Sequence, residues 1–149
     1  MTIERSLPPV VGQTLDDSCW AAVLESWSRI DDRFGQHLSQ SRLISTYGEG
    51  PTGGITPASK IPLIAMNYNL VWEMSAFRRL PSYFARYLPT SHIFCAYQTQ
   101  RQFMHSVLIY RVSDINFARF MEPAEPARYW GQSLDWFSER GPFVLMHKR

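Results

Sequence analysis

This chain of 149 residues has few cysteines, no cluster of basic residues and no long apolar run. The two cysteines, Cys19 and Cys95, could form one bridge at most, which excludes the disulfide frameworks of small secreted domains. Lys and Arg total 15 against 13 Asp and Glu, spread along the chain, so no nucleic-acid-binding surface is expected. The N-terminal "MTIERSLPPVVG" lacks the apolar stretch of a signal peptide, and nothing approaches a membrane span. We therefore expect a soluble protein that contacts neither nucleic acid nor membrane.

Hydrophobic residues make up 45% of the chain and aromatic residues 14%, enough for the core of one domain over residues 1–149. Helical spacing and capping residues predict helices in "SCWAAVLESWSRI", "HLSQSRLISTYG", "TPASKIPLIAMNYN" and "LPSYFARYLP". Strand-forming residues then dominate "HIFCAYQT", "HSVLIYRV", "FARFMEP" and "PFVLMH", with "SLDWFSERG" as a helix before the last strand. Helices first and a mostly antiparallel sheet second predict an α+β fold.

Cys19 is the first residue that points toward chemistry. Asp17 or Ser18 should cap the first helix, which puts Cys19 in its first turn, where unpaired N–H groups and the helix dipole favour a thiolate. The prolines and glycine of "SLPPVVGQT" should hold Gln13 in a loop just upstream, from which its amide could donate to an oxyanion together with the Cys19 N–H. The alternative is a buried structural cysteine beside a solvated glutamine. A nearby base would favour the first interpretation.

Four histidines are candidates for that base. His37 lies in a polar segment, and His92 precedes the apolar part of its strand. His147 lies next to the chain end, where fraying is expected. His105 opens the strand "HSVLIYRV", whose rigid backbone would hold the imidazole in place. We therefore expect His105 to be the general base, with a purely structural strand-end histidine as the alternative.

The acidic partner of His105 is inferred from hairpin pairing. If "HSVLIYRV" and "FARFMEP" pair about the turn at 113–116, His105 lies opposite about position 124, and Glu122 is the nearest acid with a strand behind it. Glu125 is an alternative, and either glutamate could instead be a solvated charge. Asp114 lies in the turn, roughly 25 Å from His105 at strand rise, too far to orient the ring. We expect the carboxylate to accept from Nδ1 and to leave Nε2 facing the thiol.

Together these residues resemble a known enzyme family. Gln13, the run Cys19-Trp20-Ala21, a histidine that opens a strand and the pair Glu122-Pro123 are similar to the papain-like cysteine proteases. The resemblance is closer to their compact bacterial branch, which includes bacteriocin-processing peptidase domains and effector proteases that bacteria deliver into other cells. The segments "LSQSRLIS" and "TGGITPA" also resemble the part of these enzymes that follows the active-site helix. One departure is the glutamate, since that branch usually has an Asp-Pro pair.

The resemblance implies cleavage of an amide bond by Cys19, His105 and Glu122, with Gln13 in the oxyanion hole, Trp20 packed beneath the substrate site, and no metal or cofactor. It also implies a protein substrate inside a target cell, delivery by a dedicated secretion system such as type VI secretion, and a cognate immunity protein in the producer. Two alternatives stay open. One is a peptidoglycan amidase or endopeptidase, and the other is an inactive papain-like module that only binds.

Overall fold

The computed structural model describes residues 2–100 and 103–149, which form four α-helices and seven β-strands. The helices are Cys19–Ile30 (α1), Gln40–Tyr47 (α2), Pro57–Tyr68 (α3) and Leu80–Tyr87 (α4). The strands are Ile3–Glu4 (β1), Leu70–Ser75 (β2), Ile93–Tyr97 (β3), His105–Val112 (β4), Phe117–Met121 (β5), Trp130–Ser133 (β6) and Phe143–Lys148 (β7). All pairings between these strands are antiparallel, and the predicted α+β fold is confirmed. Within the described ranges no helix is long and apolar enough to cross a membrane.

The strands form one sheet in the order β2-β7-β3-β4-β5-β6, with β1 paired to the far end of β4. Helices α1, α2 and α3 cover one face of the sheet, whereas α4 and a 3₁₀ turn at Leu134–Phe137 cover the other. Alternation along β4 serves both cores, because Leu108 packs on the α1 side while Val107 and Ile109 pack on the α4 side. Strand β4 is therefore fixed from both faces, and its first residue, His105, starts from a rigid backbone.

Helix α1 is the central helix of the first core and packs on β4. Every residue from Cys19 to Leu24 is at most 2% exposed, and so is Trp27, which meets the Phe34 ring edge-on. Truncating a buried side chain of this size costs about 3–5 kcal/mol in a typical core. Packing of this extent fixes the position of α1, and hence of Cys19, relative to β4.

The secondary structure differs from the sequence prediction mainly at short elements. Strands β2 and β6 were not predicted, and the helix expected over "SLDWFSERG" is only the 3₁₀ turn. A single left-handed residue, Asn69, separates α3 from β2, so the apolar residues of β2 continue those of the helix without a visible break. Strand β6 has four residues and includes Gly131, where a Cβ would overlap the Phe117 ring. A glycine needed for close approach lowers the strand signal at that position.

The fraying expected at His147 does not occur. Strand β7 lies between β2 and β3, and His147 pairs with Val71 and is 9% exposed. The next residues are also held, since the Arg149 N–H donates to the Asn69 carbonyl. Proximity to the chain end was the wrong guide here, because a terminal strand inside a sheet is tied down on both sides.

Candidate active site

Cys19 lies where the start of α1 meets the start of β4. Ser18 is the N-cap residue of the helix, so Cys19 is its first helical residue, and its own N–H has no partner within the helix. The Ser106 N–H donates to the Cys19 Sγ over 3.3 Å, and the Met104 carbonyl lies 3.7 Å from the same sulfur. The sulfur therefore contacts the two backbone positions that flank His105.

His105 bridges Cys19 and Glu122. Its Nε2 is hydrogen-bonded to Glu122 Oε1. The Cys19 side chain also acts on the ring and favours its charged form, and Nδ1 is the nitrogen left to face the sulfur. The structure thus corrects one expectation, because the two ring nitrogens have exchanged roles relative to the sequence prediction. Glu122 Oε1 also accepts from the Ala124 N–H at 3.0 Å, which fixes the carboxylate on its loop.

The electrostatic environment of His105 favours the imidazolium. Burial disfavours the charged ring, but the interactions of the imidazole with the Cys19 and Glu122 side chains outweigh it and raise the pKa of His105 to about 10. The Tyr97 ring meets the imidazole edge-on at 5.4 Å from the opposite strand position. The surroundings of His105 therefore favour its charged form, and the Tyr97 ring confines the imidazole.

The hairpin register brings Glu122 to His105 as the sequence predicts. Leu108 pairs with Met121 and Ile109 with Phe120, which is the predicted register, and the bulge between Ile109 and Arg111 lies on the turn side of these pairs. Glu125 is exposed, and its N–H donates to the Glu122 carbonyl in the same tight turn. Asp114 lies in the turn at the other end of the hairpin, beside Val112 and Leu134. Of these acids, only Glu122 is hydrogen-bonded to His105.

Gln13 lies close to the site, but its amide is occupied. Its backbone N–H donates to the Pro123 carbonyl at 3.1 Å, which joins its loop to the loop after Glu122. Its Nε2 donates to the carbonyls of Leu15 at 3.0 Å and Asp16 at 2.8 Å, while its Oε1 is buried with no partner among the described residues. To donate to an oxyanion, Nε2 must turn one of its two protons away from a loop carbonyl, or share that proton between the carbonyl and the oxyanion.

Gln40 is a member of the site that the sequence analysis did not identify. It is the first residue of α2, is 5% exposed, and binds the loop that contains Gln13 and leads into Cys19. The only sequence signal is a glutamine at the start of a predicted helix, a position where polar residues are ordinary. Its role depends on tertiary contacts, so a linear pattern could not have identified it.

Trp20 is buried next to Cys19 and is hydrogen-bonded to the loop that contains Gly53. Its ring is 2% exposed, and its Nε1 donates to the Gly53 carbonyl at 2.7 Å. The next residue, Gly54, lies directly under the Phe103 ring, so a Cβ there would overlap the ring. Trp20 also lines a mostly apolar pocket next to Ser106; its other lining residues include Ile55, Ile61, Phe94, Ala96, Phe103, Met104 and Val144. Trp20 therefore lines a pocket next to Met104 and Ser106, the two residues that flank His105.

No group of three or more His, Cys, Asp or Glu side chains suited to a metal ion occurs in residues 2–100 and 103–149. The second cysteine, Cys95, is fully buried in β3, and burial raises the pKa of its thiol to about 12. Both cysteines are free thiols. Cys19 is thus the cysteine whose surroundings are polar and basic.

The whole chain has the fold of a known peptidase domain. It is similar to the crystal structure of the peptidase domain of Streptococcus ComA, a bifunctional ABC transporter involved in a quorum-sensing pathway, with a TM-score of 0.68 and 18% sequence identity. The similarity covers 96% of this chain and 100% of that domain. No family model matches the chain, and no curated protein shows significant sequence similarity to it. The comparison therefore shows the papain-like peptidase fold.

Proposed function

We propose that the protein is a papain-like cysteine endopeptidase that cleaves a protein substrate through Cys19, His105 and Glu122. The observation that carries this proposal is the position of His105, whose ring is hydrogen-bonded to the Glu122 carboxylate and whose two chain neighbours, Met104 and Ser106, contact the Cys19 sulfur. A thiol, an imidazole and an orienting carboxylate in contact are the arrangement that acyl transfer to sulfur requires.

The reaction begins from a thiolate and an imidazolium. The Cys19 sulfur attacks the amide carbonyl carbon, and the proton on His105 Nδ1 passes to the leaving nitrogen as the C–N bond breaks. Water then attacks the thioester, with His105 accepting its proton, and the free acid leaves. Glu122 keeps Nε2 protonated and the ring oriented, a role its hydrogen bond to Nε2 supports.

The oxyanion of the tetrahedral intermediate binds at the N-terminus of α1. The Cys19 N–H is the first donor, because a first helical residue has no intrahelical acceptor. Gln13 is the second donor, with Nε2 turning one proton from a loop carbonyl toward the oxyanion. The link between Gln13 and Pro123 supports this assignment, because it holds the glutamine beside the loop of Glu122.

The biological role we propose is that of an effector or antibacterial toxin domain, delivered into a target cell and restrained in its producer by an immunity protein. The support is the resemblance to the compact bacterial branch of the family. A second candidate follows from the structural comparison, since the similar domain belongs to a bifunctional ABC transporter. In that case the substrate would be a peptide processed during export.

Expression in bacterial cytoplasm tests the activity and the role together. Wild type and Cys19→Ala would be induced at matched levels, followed by growth measurement and proteome-wide mapping of new protein termini. A toxin protease should slow growth and create termini that the alanine variant does not. Normal growth with cleavage confined to short exported peptides would favour the transporter-type role, and an absence of new termini would contradict an endopeptidase.

Purified sacculi separate the protease from the cell-wall alternative. The enzyme would be incubated with peptidoglycan, and the soluble fragments would be analysed by mass spectrometry. Release of muropeptides by wild type, and none by Cys19→Ala, would reassign the site to an amidase or endopeptidase of the cell wall. We expect no release.

A further inference from the structure

The Gln40 side chain is buried and uses both of its polar atoms on one loop. Its Oε1 accepts from the Thr14 N–H at 2.9 Å, from the Thr14 hydroxyl at 3.3 Å and from the Ser18 hydroxyl at 3.0 Å. Its Nε2 donates to the Gly12 carbonyl at 3.1 Å. Its backbone N–H donates to the Glu25 carboxylate of α1 at 2.8 Å, which fixes Gln40 itself. One amide therefore holds three residues of the loop at 12–18.

The three residues held by Gln40 are those that set the geometry of the oxyanion hole. Gly12 and Thr14 lie on either side of Gln13, so their hydrogen bonds fix the backbone from which the Gln13 amide extends. Ser18 immediately precedes Cys19, and its hydroxyl bonds to Gln40 and Leu15 instead of capping the helix. The loop residues between them lie outside helices and strands, and further hydrogen bonds tie the loop to Pro123 and Thr52.

We propose that Gln40 is a positioning residue that fixes the distance between the two oxyanion donors, the Gln13 amide and the Cys19 N–H. This inference rests on the proposed function. The physical reason is that catalytic donors stabilise a transition state only when they are held in place before the charge develops. One side chain, that of Gln40, binds both ends of the loop. Gln13 can therefore move relative to Cys19 only if hydrogen bonds of Gln40 break.

Two reagents that react with the same sulfur isolate this role. With p-nitrophenyl acetate the Cys19 sulfur forms a bond to the carbonyl carbon, and p-nitrophenolate leaves after a tetrahedral oxyanion has formed. With iodoacetamide the sulfur displaces iodide from a saturated carbon, and no oxyanion forms. The ratio of the acylation rate to the alkylation rate therefore reports the oxyanion hole, whereas a general loss of thiolate or of folded protein lowers both rates together.

The variants are Gln40→Leu, Gln40→Glu and a matched control, Ser28→Ala. Leucine removes every side-chain hydrogen bond, and glutamate keeps the acceptor for Thr14 and Ser18 but loses the donor to Gly12. Ser28 is a buried polar residue whose hydroxyl ties α1 to the Leu38 N–H at 2.8 Å, far along the helix from Cys19. Ser28→Ala should lower the melting temperature and leave the ratio unchanged.

We expect Gln40→Leu to lower the ratio by at least tenfold and up to the roughly 10²-fold loss typical of one oxyanion donor, with Gln40→Glu in between. On a Gln13→Ala background, Gln40→Leu should cost much less, because the donor it positions is already absent. A ratio within twofold of wild type in both Gln40 variants, with wild type active, overturns the role of Gln40 alone. Acylation of wild type no faster than of Cys19→Ala overturns both this inference and the proposed function.

Discussion

His105 and His147 lie on the same sheet, and both rings are largely buried, yet their surroundings act in opposite directions. The pKa of His105 is raised to about 10, whereas burial lowers the pKa of His147. His147 Nδ1 lies 3.0 Å from the Tyr83 hydroxyl, and its ring stacks on Tyr87 at 3.8 Å. One histidine contacts groups that stabilise its charge, whereas burial and the charges of Arg149 and Arg86 disfavour the charged form of the other.

The difference shows that direct contact, more than the presence of an acid nearby, decides how a buried histidine titrates. Glu73 is close enough to favour the charged form of His147, but its carboxylate is already bound to Arg79 and to the Ser75 hydroxyl. Glu122 instead binds His105 directly. A carboxylate committed to a guanidinium has less effect on a neighbouring imidazole than one that accepts from the ring itself.

Replacing each of the two histidines by alanine should give the largest difference in activity. In the proposed mechanism His105 pairs with the thiolate and protonates the leaving amine, so in His105→Ala kcat/KM should fall by roughly 10³-fold or more. His147→Ala should keep kcat/KM near wild type and lower only the melting temperature, because it removes ring packing far from Cys19. Initial rates on a substrate identified by terminus mapping, with circular dichroism as the folding check, measure both. Equal losses of activity would show that the two rings do not differ as proposed.

The two cysteines show a similar contrast, because Cys19 lies beside His105 whereas Cys95 is fully buried in β3. Iodoacetamide at pH 7 should label Cys19 at least about 10²-fold faster than Cys95, because a thiol with a pKa of about 12 carries almost no thiolate and the Cys19 sulfur contacts an imidazolium. Mass spectrometry of the digested native protein gives the two rates. Comparable labelling of the two would remove the case for an activated nucleophile.

The sequence singles out the residues on one side of this contrast and misjudges the other, because it predicts fraying at His147. Cys19, His105 and Glu122 were chosen because each follows from a local rule: a helix start, the first residue of a strong strand and the register of a short hairpin. The structure brings these three together as expected. The α+β order followed from the same local signals, because long amphipathic segments and β-branched runs are the least ambiguous patterns.

The remainder depends on contacts that no local pattern encodes. The nitrogen that faces Cys19 is set by the direction from which α1 approaches β4, which a sequence does not contain. Gln40 binds residues more than twenty positions away in the sequence. Strand β7 lies inside the sheet because β2 pairs with its outer side, and the sequence does not predict β2, since its apolar residues follow directly on those of α3. The local rules therefore found the candidate chemical groups, while their orientation and support came from packing.

The two carboxylates give a smaller contrast than the histidines. Glu122→Gln keeps the shape and an acceptor but removes the charge that favours imidazolium, so kcat/KM should fall by about tenfold, less than the roughly 10⁴-fold loss when a serine triad loses its aspartate. The pKa of His105 should also fall, which moves the alkaline side of the pH profile to lower pH. Glu73→Gln should leave the profile unchanged. If Glu125→Ala were the damaging change and Glu122→Gln were silent, the third residue would have to be reassigned.

The smallest expected effect is on stability, where the two histidines act at opposite ends of the pH range. A raised pKa in the folded state means that the stability contributed by His105 is present below its unfolded pKa near 6.5 and is lost as the pH rises toward 10. A lowered pKa means that the stability contributed by His147 is present above about pH 6.5 and is lost as the pH falls below it. His92 acts in the same pH window, because burial also lowers its pKa.

Urea unfolding between pH 5 and 10 should therefore show that His147→Gln loses less stability on the acid side than wild type. The loss is reduced but not abolished, because His92 remains. His105→Gln should flatten only the alkaline side. If a variant changed the pH dependence of stability on the opposite side, or on both sides equally, the pKa of its histidine would not be shifted in the direction that the surroundings of the ring indicate.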